Sequence, residues 1–245
     1  ATERDAAQTA GVVDGAPSTW REAVSGADFV VLATPLLGCV TLMGALPDVL
    51  GEAATVTDVA SLKVPVARAA EEAGLSDRWI GSHPMAGSEA SGFWASRSEL
   101  YEGATVWLTS AEGDRPAEDG HWRMVERLWS SAGAHPVAID AAEHDRLMAL
   151  VSHLPQLTSN ALARVLNGEG VDPSQLGPGG RDMTRLARSN PGMWLDLLRH
   201  ADPAVVRGLR SLAGEASGLA DLIESGAVEQ IDRVMRETRA WRADS

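Results

Sequence analysis

Five short apolar runs fall in the first 140 residues of this chain, and no further run of that kind follows. They cover residues 29–33, 55–59, 79–81, 104–108 and 136–139. The first, Phe29-Val30-Val31-Leu32-Ala33, is apolar without alternation. That pattern suits a strand buried on both faces of a sheet sandwiched by helices. Pro35 ends it, because proline has no N–H to give to a ladder. Helix-like stretches separate the runs, around residues 40–50, over 65–73 up to Gly74, and over 121–132 up to Gly133. Glycine after the last helical residue is a common stop. Strands alternating with helices predict a parallel, doubly wound α/β sheet. The opening 25 residues are polar and helix-like, with Trp20, Ala23 and Val24 as apolar contacts.

After Asp140 the period changes. Leu147, Leu150, Val151, Leu154, Leu157, Ala161, Leu162 and Val165 recur at helical spacing, and Asn167-Gly168 supplies a stop. Pro155 falls inside this helix and is expected to kink it. Residues 171–180 form a Gly/Pro loop, and Asp202-Pro203 reads as an N-cap followed by a first-turn proline. The expected organisation is an α/β, Rossmann-like domain over residues 1–140 and an all-helical domain over 141–245.

Composition narrows the function. The formal net charge is −13, with no cluster of Lys and Arg. Nucleic acid and anionic membrane are therefore poor partners. No apolar run approaches the ~20 residues of a membrane helix, and no basic, then apolar leader opens the chain. Cys39 is the only cysteine, so no internal disulfide forms. These features fit a cytoplasmic protein.

Four segments carry chemistry: Asp58-Val59-Ala60-Ser61-Leu62-Lys63, Gly81-Ser82-His83-Pro84-Met85-Ala86-Gly87-Ser88-Glu89, Ser152-His153-Leu154-Pro155, and Gly180-Arg181-Asp182-Met183-Thr184-Arg185. His83 is expected in a small-residue loop after a strand, where an imidazole can take a proton near neutral pH. The plainer reading is a structural loop histidine. Ser61 follows a strand end, where a serine also serves as a helix N-cap. Thr34 and Pro35 end the first strand, where Rossmann-like folds meet their cofactor. His153 lies on or beside the apolar face of its helix, so a core histidine is the alternative. Arg181 and Arg185 share a helix face if the helix has begun, and solvent-exposed pairing is their usual fate. A guanidinium is nevertheless the group best shaped for a substrate carboxylate. Asp145 reads as a turn cap of little functional weight.

In this order, the four segments resemble the prephenate/arogenate dehydrogenase family of tyrosine biosynthesis. The resemblance runs from Asp28 to about Asp196. It implies an NAD- or NADP-dependent oxidative decarboxylation of prephenate, or of arogenate, in a homodimer joined through the helical half. By the same resemblance, His83 accepts the ring-hydroxyl proton and Ser61 hydrogen-bonds that histidine or the hydroxyl beside the nicotinamide. Arg185 binds a substrate carboxylate, His153 lines the ring pocket, and Glu89 bears on substrate binding or pH response. Trp194 also matches the family pattern, although a core or interface anchor suits it equally.

One element of such a fold is missing. No G-x-G-x-x-G turn precedes Phe29, where a dinucleotide-binding sheet carries its pyrophosphate cradle. The polar-helical start favours a fragment over a true loss. Two rival readings remain. A hydroxy-acid dehydrogenase of Rossmann-plus-helical build predicts a catalytic lysine in the helical half, yet Lys63 is the only lysine. A cofactor-less helical dimerising module leaves the His83, Ser61 and Arg185 set without a purpose.

Overall fold

The structure is a computed structural model that describes residues 2–87, 92–111 and 119–243. It divides into two compact units: Ala1–Met148 with Arg188–Asp202, and Ala149–Ala187 with Pro203–Ser245.

The first unit has five strands among its described residues. β1 (Phe29–Leu32) pairs in parallel with β2 (Thr55–Asp58). A parallel bridge from Val56 to Trp79 carries the sheet on to β3 (Ile80–Pro84). β4 (Thr105–Ser110) runs antiparallel to β3, and β5 (His135–Ala138) runs parallel to β4. The sheet is thus parallel on both sides of one antiparallel junction, where the sequence pattern predicted parallel pairing throughout. The link between β3 and β4 explains the difference. Its described residues contain only the 3-10 turns Phe93–Ala95 and Ser98–Tyr101, whereas a parallel neighbour needs a crossover, usually helical.

Burial follows position in the sheet. Every residue of central β2 is buried, while β5 is mostly exposed. α3 (Leu36–Ala45), α4 (Val64–Glu72) and α9 (Pro191–Arg199) pack around β1 and β2, burying Cys39, Met43, Val56, Val66, Trp79 and Leu197. α5 (Gly120–Ser131) closes a second cluster of Ile80, Val106, Leu108, Val125 and Trp129. The polar opening is two short helices, α1 (Glu3–Thr9) and α2 (Trp20–Val24), each started by a capping box. Gly11, at φ 70, and Pro17 keep them apart. α6 (Ala141–Met148) belongs to this unit.

The regular elements of the second unit are all helical among its described residues. It opens with a π-helical segment, Ala149–His153, followed by α7 (Leu154–Gly168). Pro155 accounts for the irregular turn: it lacks an N–H, and its ring crowds the carbonyl four residues back, so the ladder widens there. α8 (Pro178–Thr184) continues into a 3-10 turn, Arg185–Arg188. α10 (Ala204–Glu224) and α11 (Val228–Ala243) complete the unit. Gly208 lets α10 approach the start of α7, since a Cβ there would stand 2.9 Å from Leu154 Cδ2.

Candidate active site

His83 is the fourth residue of β3, opposite Trp107 of β4, and not a loop residue as expected. Pairing with β4 extends the strand past Gly81 and fixes the histidine's backbone. Alternation along the strand sends Ser82 and His83 to opposite faces. Ser82 Oγ accepts from Trp129 Nε1 of α5 at 2.9 Å and lies 2.8 Å from Thr57 Oγ1. On the other face, His83 Nδ1 lies 2.9 Å from Nε2 of His144 on α6, and the two rings meet edge to face with centroids 5.0 Å apart.

His144 is fully buried, and its Nδ1 lies 2.7 Å from Asp145 Oδ1. Asp145 is held in turn by the start of α4. Its Oδ1 accepts from the Lys63 backbone N–H at 2.7 Å and its Oδ2 from the Val64 N–H at 2.9 Å. First-turn amides lack partners within their helix, so a carboxylate placed there satisfies them and complements the helix dipole.

Lys63 closes the arrangement from the other side. Its ammonium is fully buried, ion-paired with buried Asp58, and donates to the Ser82 carbonyl at 2.6 Å. Asp58 also accepts from the Ala60 N–H at 2.9 Å and from Trp79 Nε1 at 3.1 Å. Both ends of the Asp-x-x-x-x-Lys segment are therefore tied down, and half-buried Ser61 sits in the turn between them. A buried pair with this many satisfied hydrogen bonds holds one geometry, although its net effect on stability is small.

Thr34 and Pro35 follow β1. Pro35 is the N-cap of α3 and gives no side-chain cap, so the first amides of that helix point outward unsatisfied by it. Trp194 lies on α9, half-buried against the β1–β2 core, in keeping with an anchor. Glu89 lies outside the described residues. No cluster of three metal-ligating side chains occurs among the described residues.

The second unit holds His153 and Arg185. His153 ends the π-helical segment and is 1% exposed. Arg185 begins the 3-10 turn after α8, is exposed, and has no carboxylate partner among the described residues. Buried polar side chains on α7 hold that turn. Gln156 Nε2 donates to the Leu186 carbonyl at 2.7 Å, and Ser159 Oγ accepts from the Ala187 N–H at 3.1 Å. Arg181, one turn earlier, donates to the Leu176 carbonyl at 2.7 Å. It serves the loop, and Arg185 presents the available guanidinium.

His144, Gln156 and Ser159 are residues that sequence reasoning left out, and Lys63 and Asp145 are residues to which it gave no role in the site. Asp145 has a turn-capping role, but of α4 across the fold and not of its own helix. Local pattern offered little here, because a buried polar residue on an amphipathic helix reads as an ordinary solvated position. The adjacent pair His144-Asp145 was the available signal.

Residues 1–138 match the family described as prephenate dehydrogenase, nucleotide-binding domain, and residues 140–237 match prephenate dehydrogenase, dimerization domain. Prephenate dehydrogenase of Bacillus subtilis is 29% identical over 97% of this chain, and the chain spans 65% of that protein's length. Cyclohexadienyl dehydrogenase of Zymomonas mobilis is 28% identical over 91% of the chain and 76% of its own length. Among solved structures, Aquifex aeolicus prephenate dehydrogenase, in complex with hydroxyphenyl propionate and NAD+, superposes with a TM-score of 0.85 at 29% identity, over 98% of this chain and 84% of that one. Synechocystis arogenate dehydrogenase superposes with a TM-score of 0.82 at 25% identity, over 99% of this chain and 87% of that one. With both halves of its length matched in order, this chain belongs to the prephenate dehydrogenase family.

Proposed function

We propose that this protein oxidatively decarboxylates prephenate to 4-hydroxyphenylpyruvate with NAD or NADP as hydride acceptor, as a cytoplasmic homodimer. The observation that carries the reading is His83, held at the end of β3 by a buried His144–Asp145 pair. That support suits a base that must keep one orientation while it accepts a proton. In this reading His83 takes the proton of the ring hydroxyl as the carbon beneath it gives up a hydride. The bond to the ring carboxylate then breaks, its electron pair completes the aromatic ring, and CO2 departs. Aromatisation drives the step, so the protein supplies mainly position and electrostatics. By the family resemblance, Arg185 binds a carboxylate of the substrate, His153 meets its ring, Ser61 hydrogen-bonds His83 or the reacting hydroxyl, Glu89 bears on substrate binding or pH response, and Trp194 is a further substrate-binding residue.

The residues at the ends of β1 and β2 fit one end of a dinucleotide. Thr34, the α3 amides that follow Pro35, and Ser61 offer neutral donors where a parallel sheet receives its ligand. They would hold the nicotinamide portion, which supplies hydride acceptance when bound. None of the 245 residues forms a G-x-G-x-x-G turn, so no residue is assigned to the pyrophosphate.

Arogenate is the second substrate to test, because one of the similar structures is an arogenate dehydrogenase. The deciding experiment assays the intact protein with prephenate and arogenate against both cofactors, beside His83→Asn. Turnover of prephenate is expected, with kcat reduced roughly 10²–10⁴-fold in the variant, the usual contribution of general-base catalysis, and KM little changed. Absence of turnover with every pair would overturn the activity, and near-normal turnover by His83→Asn would remove the histidine from its role.

A further inference from the structure

The directions of the hydrogen bonds in the line from Asp145 through His144 to His83 are set from its far end. Lys63 and Val64 present backbone N–H groups, which donate and cannot accept. One meets each oxygen of Asp145, at 2.7 and 2.9 Å. An acid proton on either oxygen would compete with a main-chain donor, so the group is an acceptor on both sides. His144 Nδ1, 2.7 Å from Oδ1, therefore carries a hydrogen and donates it. A neutral imidazole with its proton on Nδ1 has a lone pair on Nε2 and no hydrogen there. In that neutral form His144 Nε2 accepts, and its neighbour at 2.9 Å, His83 Nδ1, donates.

We propose that Asp145 and His144 are positioning residues that fix His83 in its Nδ1–H tautomer, placing the proton-accepting lone pair on Nε2. An unrestrained histidine side chain favours the opposite form, with hydrogen on Nε2, which has no base at that atom. The line Asp145–His144–His83 selects the competent form and also gives the charge that develops on His83 a path: an imidazolium Nδ1–H facing a buried acceptor. The geometry is closed on itself. Lys63 sets Asp145 through its backbone N–H and the Ser82 carbonyl through its ammonium, so the histidine's main chain and ring are both referred to one residue. Any consequence for catalysis rests on the dehydrogenase reading above, and the tautomer itself does not.

The test is the ¹⁵N spectrum of histidine-labelled intact protein, with His83→Asn and His144→Phe identifying the two rings by loss. For both histidines, Nδ1 is expected to be pyrrole-like and Nε2 pyridine-like. In His144→Phe, which keeps a ring of similar size without an acceptor, His83 is expected to move toward the Nε2–H form. Where the reaction is observed, kcat should fall up to the ~10²–10⁴-fold of a lost general base, with KM nearly constant. An Nε2–H form of His83 in the unsubstituted protein, or a His144 protonated on both nitrogens, would overturn the proposal. So would an unchanged His83 pattern in His144→Phe. If that variant does not fold, the unsubstituted spectrum, with the His83→Asn difference, still decides. A protein that shows the expected tautomer but no turnover would count against the dehydrogenase reading alone.

Discussion

Two side chains in this protein carry charge into opposite situations, and substituting each should have opposite kinds of effect. Lys63 is fully buried against Asp58 and the Ser82 carbonyl. Lys63→Met removes the ammonium and leaves the Asp58 carboxylate buried without its counter-ion, a change that costs about 3–5 kcal/mol. The double variant Lys63→Met with Asp58→Asn should recover part of that loss, since no uncompensated charge remains; urea denaturation of both against the parent measures this. Equal stability of the single variant and the parent would show that the pair does not bear on the fold. Arg185, by contrast, is exposed and has no carboxylate partner among the described residues, so Arg185→Gln should leave stability within about 0.5 kcal/mol. If it binds a substrate carboxylate, loss of a charge-assisted bond of about 1.5–3 kcal/mol should raise KM roughly 10–150-fold while kcat holds. Arg181→Gln should do less, because that guanidinium is engaged with the Leu176 carbonyl. A larger effect from Arg181 would move the carboxylate site one helical turn. At this scale the sequence singles out candidates that sit in motifs, His83 and Ser61 among them. It did not reveal His144, because the contact joins positions 61 residues apart and the local His144-Asp145 pair does not by itself point to His83.

Elements were legible where a period runs long and less so where connectivity decides. The five strands fall close to the apolar runs, and the change to helix after 140 is visible as a change of period. Orientation is different: β4 reverses against β3 because the chain between them supplies no crossover helix among its described residues, and apolar runs carry no sign of direction. The apolar run ends before β3 does, since Ser82 and His83 are polar and their burial depends on partners elsewhere. α5 shows how an element end can be tested. Asp119 caps it, its carboxylate accepting from the His121 N–H at 2.7 Å and the Trp122 N–H at 3.2 Å. α5 carries Trp129, which reaches Ser82 Oγ beneath His83's strand. Asp119→Ala should therefore cost about 0.5–2 kcal/mol of stability, read as a lower urea midpoint at unchanged slope. Asp119→Ser, which can still cap, should restore most of it. A variant as stable as the parent would mean that the cap is replaced by water without loss.

The whole molecule is acidic, at −13, and yet leaves large apolar side chains in the open on its second unit. Ile223, Val228, Met235 and Trp241 of the α10–α11 region are 68%, 71%, 62% and 79% exposed. Scattered exposure of single apolar residues is ordinary, but several on one helical pair mark an association surface. Residues 140–237 match a dimerization domain, and the homodimer proposed above gives those side chains a partner of the same kind. In a two-fold interface each residue is used twice. If Ile223→Ser and Trp241→Ser each lose about 1 kcal/mol per copy, the double variant should weaken the dimer by about 4 kcal/mol, near 10³-fold in Kd. Because both side chains are exposed within the unit, the fold of the single chain should be unaffected, and circular dichroism can verify that. Sedimentation at micromolar concentration should then show a dimer for the parent and a monomer for the variant. A parent that stays monomeric at high concentration, or a variant that dimerises as tightly as the parent, would put the interface elsewhere.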